Sequence, residues 1–371
     1  MSDGTKISWT DATWNPVVGC TKVSAGCDNC YAIRTARRMT ANPNPRVSQA
    51  YAGTEAGGEW TGKVNLLSDR LDQPLKWRRP RRIFVNAQSD LFHEAVPDDF
   101  ITRAWAVMTL APQHVFQVLT KRHARMRSLL SAPRFQDDVW RAATVLMGER
   151  GIDKGRHFAW PLPGVWLGVS VEDQQWADIR IPALLDTPAA VRWLSCEPLL
   201  GSVKLSDHID RWSDDDPGTC DWGHCSRPAV AVRRDYAHDD PGCVCMLPVC
   251  REHRGLDWVV VGGESGPGAR PMHPAWARSL RDQCQAAGVP FHFKQWGEWA
   301  PSNVYPNRGH LTDAHCVMHP AGMTAMTKSN PFNPFERGHP NWGQPMRRVG
   351  KARAGRELDG RVWDEYPEVA S

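Results

Sequence analysis

Gly19-Cys20-Thr21-Lys22-Val23-Ser24-Ala25-Gly26-Cys27-Asp28-Asn29-Cys30-Tyr31 sets three cysteines in a C-x6-C-x2-C spacing. The loop follows an apolar pair, Val17 and Val18, and runs into a helical stretch from Tyr31 to Met39. Three thiolates fall one short of a closed structural zinc site. They suit a 4Fe-4S cluster whose remaining iron stays open to another ligand. Ordinary buried thiols, or three zinc ligands with a distant fourth, are the other readings of the spacing. The glycines allow tight turning and let backbone N–H groups approach the sulfurs.

A strand, a functional loop and a helix recur outward from this stretch. Strands are expected at Trp14 to Val18, Arg82 to Asn86, His114 to Thr120, Val165 to Glu172, Val191 to Pro198, Leu256 to Glu264 and Phe291 to Trp296. Helices are expected at 31–39, from Asp98 as cap through Met108, at 125–130, 177–185 and 274–287, with loops at 41–62 and 133–163. Apolar strands alternating with amphipathic helices predict βαβ units and a parallel sheet covered on both faces. About seven units predict an α/β fold with a full or partial TIM-type (β/α) barrel over residues 1–300. Residues 301–371 form a C-terminal extension, with an Asp359-Gly360 hairpin packing on the barrel.

In such a barrel the chemistry gathers where the strands end. The polar residues there are the three cysteines, Asn86, Ser89, Asp90, Thr120 to His123, Ser170, Glu172, Cys196, Glu197, Gly262 to Ser265, Lys294 and Gln295. Each alone is as well explained by turns and caps, but together they converge on one face.

Composition agrees with a cytoplasmic protein. No run of about 18 apolar residues is present, so no membrane span is expected, and the first residues lack the apolar core of a signal peptide. Eleven cysteines, an odd number, favour metal binding over a disulfide framework. The net charge of +4 is too mild to imply nucleic-acid binding by itself. The 18 tryptophans are expected in the core and at its rim.

Trp14-Asn15-Pro16, the cysteine loop, Leu119 to Arg122, Gly168 to Glu172, Leu194 to Leu199, Gly262 to Gly266, Phe293 to Gly297 and Gly355 to Gly360 carry a resemblance. With these stretches the chain resembles a family of bacteriophage-encoded three-cysteine-motif proteins with no established reaction. More widely it resembles the radical S-adenosylmethionine (SAM) superfamily. The loop departs from that superfamily's usual C-x3-C-x2-C, and Asn29 stands where an aromatic residue is usual. The resemblance implies that Cys20, Cys27 and Cys30 ligate a 4Fe-4S cluster and that SAM chelates its open iron. It also implies reductive cleavage of SAM to a 5′-deoxyadenosyl radical, fed by a flavodoxin- or ferredoxin-type electron donor. Asn86, Ser89 or Asp90 would take the SAM amino group and Ser170 and Glu172 its ribose. Gly262, Gly263 and Glu264 would lie along the nucleoside, leaving Cys196, Glu197 and Lys294 for catalysis on the substrate. The setting would be the host cytoplasm, and the substrate a nucleobase or nucleoside.

One insertion, at about 212–254, stands outside the barrel pattern. Cys220, Cys225, Cys243, Cys245 and Cys250, with His224, His238 and His253, lie among Asp, Pro and Gly. Such a segment cannot build an apolar core, so a bound metal is expected, zinc or an auxiliary cluster; scattered surface thiols are the alternative. A second functional class therefore stands beside the enzyme. It is a metal-stapled nucleic-acid-binding protein without redox chemistry, using basic residues at 78–82 and 121–127.

Overall fold

Seven strands form one parallel sheet in sequential order in a computed structural model of the chain. They are β1 Ala12–Trp14, β2 Arg82–Val85, β3 Val115–Thr120, β4 Val165–Ser170, β5 Val191–Cys196, β6 Trp258–Gly262 and β7 Phe291–Gln295. The structure describes residues 5, 7–148, 158–209, 255–301, 315–319, 322–327 and 344–368. Every neighbouring pair is parallel and joined by crossovers, which gives a curled, partial TIM-type barrel.

The strands read as continuous apolar runs because both faces are covered. Alternate residues such as Val118, Leu167, Leu194 and Val259 enter the core beneath the outer helices. The intervening residues face the concave side, where Trp9, Phe84, Trp166, Trp193, Trp258 and Val260 pack together. Trp9 comes from the segment before β1, and its rings meet Trp193 and Trp258 at centroid distances of 5.3 and 6.1 Å. Gly168 makes room for this layer, since a Cβ there would lie 2.4 Å from the Trp193 ring.

Several boundaries differ from those expected. Val17–Val18 leaves the first strand and pairs antiparallel with Asn65–Leu66. The break falls at Asn15-Pro16, where proline offers no N–H to a ladder. The expected loop at 41–62 contains a helix, Pro45–Ala50, capped by the Asn44 side chain on Arg46 N, and a small hairpin joining Glu55–Ala56 to Glu59–Trp60. Within 133–163 lies a helix, Phe135–Met147. Its last turn exposes Val145, Leu146 and Met147, which blurs the apolar stripe that would have marked it. Asp98 opens the helix Asp98–Leu110 from its first turn rather than capping it.

The C-terminal extension covers the open edge of β7. Phe293 N donates to Trp363 O, Glu365 N donates to Phe291 O, and His292 bridges Asp364 antiparallel. This removes an exposed strand edge. Asp359, with φ 56°, and Gly360, with φ 76°, form the turn between Glu357–Leu358 and Arg361–Val362, as their sequence predicts. Trp299–Pro301 pairs with Gln344–Arg348, and that strand pairs with His315–His319. The cysteine-rich insertion, with Cys220, Cys225, Cys243, Cys245 and Cys250, lies outside the described residues. Among the described residues no helix is long and apolar enough to cross a membrane.

Candidate functional site

A cavity of about 230 Å³ opens where the seven strands end, and every strand end contributes to its lining. Cys20, Cys27 and Cys30 come from the loop after β1, Asn86, Ser89 and Asp90 from β2, and Thr120 to Arg122 from β3. Ser170 ends β4, Glu197 follows β5, Gly263 to Ser265 follow β6, and Lys294 and Gln295 close β7. Phe84, Leu119, Tyr31 and Trp60 give it apolar walls.

The three thiols are close enough to feel one another's charge. Burial, with Asp90 adding to it, pushes the Cys20 thiol up to about 12, while Arg122 pulls the other way. Burial also raises Cys30, opposed by N–H donation from Ala32 and Ile33, the first turn of the helix Tyr31–Thr40, and by Lys121. Without a metal these two sulfurs are therefore protonated, and metal binding must expel their protons. Among the described residues no three His, Cys, Asp or Glu side chains converge closely enough to grip a single ion. Thiolates round a cluster bind the corners of a body several ångströms across, so they stand farther apart than the ligands of one ion. The donor set, the flanking cations and the helix N–H groups are of the kinds a cluster would need.

Two buried carboxylates hold the loop. Glu172, just past β4, has no exposed surface and accepts from Ser24 Oγ at 2.8 Å, Arg180 at 2.9 Å and Lys121 Nζ. Burial alone would raise its pKa, but Lys121 and Arg180 hold the carboxyl below its ordinary value. Gly26 rests on this group, and a Cβ there would come within 2.6 Å of Glu172 Cγ. On the other flank Glu264 accepts from Asn29 Nδ2 at 3.0 Å and twice from the Arg270 guanidinium. Arg270 also reaches Asp28 and Ala25 O, so it ties two chain segments to one carboxylate. Near Cys20, Thr21 meets both His93 Nε2 and Arg122.

These contacts sort the residues expected at the site. Asp90 is committed to Thr120, Lys121 N, Phe92 N and Arg122, and Ser89 donates to Val17 O. Asn86 is different. It is 3% exposed, has φ 59°, and neither side-chain amide atom has a partner. Ser170 lines the cavity, whereas Glu172 lies behind the cysteine loop and is absent from the lining. Cys196 also lies outside it, facing the helix layer near Cys284, and burial raises its thiol well above the ordinary range. Alternation along β5 sends Cys196 outward and the next residue, Glu197, inward, where Lys294 Nζ sits 2.8 Å from its Oε1. Gly262 leaves room for Glu197, since a Cβ would approach its Oε1 to 2.7 Å. Gly263 lines the cavity against Trp296 O, and Glu264 reaches it while gripping Asn29.

Arg180, Arg270, Tyr31 and Trp60 were not among the expected site residues. Arg180 had a usable signal, since it interrupts the apolar face formed by Ala177, Ile181 and Leu184. Arg270 had none, because it sits in an aperiodic loop.

A family model described as "Protein of unknown function (DUF5131)" matches residues 4–367. The chain belongs to this family. DUF5131 thus spans the sheet, the cysteine loop and the C-terminal cover together. No curated protein and no solved structure matches the chain.

Proposed function

We propose that this DUF5131 chain is a radical SAM-like iron–sulfur enzyme, with Cys20, Cys27 and Cys30 holding a 4Fe-4S cluster whose open iron receives SAM. The observation that carries the reading is that one cavity gathers three thiols and a buried, unpartnered amide at Asn86. The resemblance to radical SAM enzymes and to phage three-cysteine-motif proteins supports it. When bound, the two cofactors would supply a 5′-deoxyadenosyl radical, with an electron from a flavodoxin- or ferredoxin-type donor.

The chain's own residues bind, orient and exclude water. Asn86 offers two N–H donors and one carbonyl acceptor to the polar end of SAM, and Ser170 offers a hydroxyl to its ribose. Phe84 and Leu119 give the cavity apolar walls, and Tyr31 stands at its mouth. Lys294 Nζ sits 2.8 Å from Glu197 Oε1, a polar pair suited to orienting a nucleobase or nucleoside. Glu172 and Glu264 act on the cysteine loop and only indirectly on a ligand.

Anaerobic reconstitution followed by iron and sulfide analysis, and then SAM with a low-potential reductant, tests the reading. Four irons at the loop and release of 5′-deoxyadenosine support it. Stoichiometric zinc without iron at the loop, or a reducible cluster that neither binds nor cleaves SAM, overturns it.

A further inference from the structure

Between Asp28 and Glu55 the chain carries four arginines, Arg34, Arg37, Arg38 and Arg46, and no acidic residue. The whole protein has a net charge of only +4, so the rest of the chain is close to balanced and this lobe is not. The helix Tyr31–Thr40 buries Ala32, Ile33 and Ala36 and turns Arg34, Arg37 and Arg38 to solvent. The helix Pro45–Ala50 packs against it and exposes Arg46. None of the four forms an ion pair with a described acid, unlike Arg122, Arg125 and Arg270 nearby.

Helix electrostatics explain only part of this pattern. Arg37 and Arg38 in the last turn complement the helix dipole. Arg34 stands in the first turn, where a cation is unfavourable, and is held by Ser265 O at 2.9 Å across a glycine, Gly266, that leaves it room. The same helix face begins at Tyr31, which is 48% exposed and lines the cavity. Tyr31, Arg34 and Arg38 thus run in one line from the cavity mouth outward.

We propose that this arginine face binds the phosphate backbone of a single-stranded nucleic acid and leads one of its bases to the cavity. Consecutive unpaired cations beside an aromatic mouth match a strand whose phosphates follow the helix while a base is turned inward. A duplex does not suit a cavity of about 230 Å³. The basic residues at 121–127 are not the surface, because Lys121, Arg122 and Arg125 are spent on Glu172, Glu94 and Asp98. Of those at 78–82, Arg78, Arg79 and Arg81 precede β2 and Arg82 opens it, at the strand's N-terminal end, whereas the cavity lies at the C-terminal ends.

The inference depends on the proposed function only for the cavity being a reaction site; strand binding itself needs no metal. Fluorescence anisotropy of the full-length, metal-free chain with labelled 15-nucleotide DNA and RNA strands tests it over a range of salt. The R37E/R38E double variant should bind at least about tenfold more weakly, with a shallower salt dependence. R78E/R79E, at the far end, should bind within about twofold of wild type. The DNA and RNA arms tell which strand is preferred. Equal losses in both variants, no loss in either, or tighter binding to a hairpin duplex or to phosphatidylserine vesicles than to both strands would overturn it. A chain that binds the strand but no iron would retain this inference and lose the cluster. One that builds a cluster and ignores the strand would do the reverse.

Discussion

Glu172 Oε1 accepts the Ser24 hydroxyl at 2.8 Å, joining the end of β4 to the cysteine loop across 148 positions of sequence. The other oxygen meets Arg180, whose side chain is as fully buried as that of Glu172. Removing one partner of a buried pair leaves an uncompensated charge, at about 3–5 kcal/mol. Glu172→Ala is therefore expected to lower unfolding stability by that amount in urea denaturation. It should also speed hydrogen exchange across residues 19–30. An unaltered urea midpoint would contradict this placement.

The cysteines carry a separate expectation. Cys20→Ala, Cys27→Ala and Cys30→Ala should each abolish the brown absorbance of the reconstituted protein. Cys196→Ala should keep it, because that thiol faces the helix layer rather than the cavity. Iron content and visible spectra of the four variants decide the matter, and loss of the band in Cys196→Ala would refute the assignment.

Much of the architecture was legible because the strands are buried on both faces and read as unbroken apolar runs. The cavity was legible because the barrel's geometry sends strand ends to one place, and residues as far apart as Cys20, Asn86 and Lys294 do line it. Which of those polar groups are spent was not legible. Asp90 and Asn86 look equivalent in sequence, yet one has several donors and the other has none. Glu172 looked like a ligand-binding residue because its true partners, Ser24 and Arg180, come from other elements. Cys196 and Glu197 differ only in strand phase, and a shift of one residue exchanges cavity for core.

Asn86 offers a clean variant because its φ of 59° is one that glycine adopts freely. Asn86→Gly should leave the fold near wild-type stability, since the amide has no hydrogen bond to lose. It should weaken SAM binding to the reconstituted protein by about 1–3 kcal/mol, the cost of a lost buried hydrogen bond. Anaerobic calorimetry measures that change, and the cluster spectrum should persist. Undiminished SAM affinity would remove Asn86 from the ligand site.

His292 makes acid stability testable away from the cysteines. Its ring is fully buried on β7, with Nε2 at 3.0 Å from Ser8 Oγ. Burial lowers its pKa to about 4; Asp364 opposes that shift, while Arg356, Lys294 and Arg82 reinforce it. Asp364 lies 3.4 Å from Nδ1 as a neighbouring charge, but that nitrogen has no hydrogen-bond partner. The folded chain thus binds fewer protons than the unfolded chain, whose histidine titrates near 6.5. Stability from this group is complete above about pH 6.5 and is lost as the pH falls toward 4, by about 3 kcal/mol in all. His93, His114 and His123 are lowered too, chiefly by burial, and add to the same acid limb. His292→Gln keeps a polar group beside Ser8 and cannot titrate. Its unfolding free energy should therefore fall less steeply than wild type between pH 6.5 and 4. Parallel curves for the two proteins over that interval would show that His292 titrates alike in the folded and unfolded chains, and that burial does not lower it.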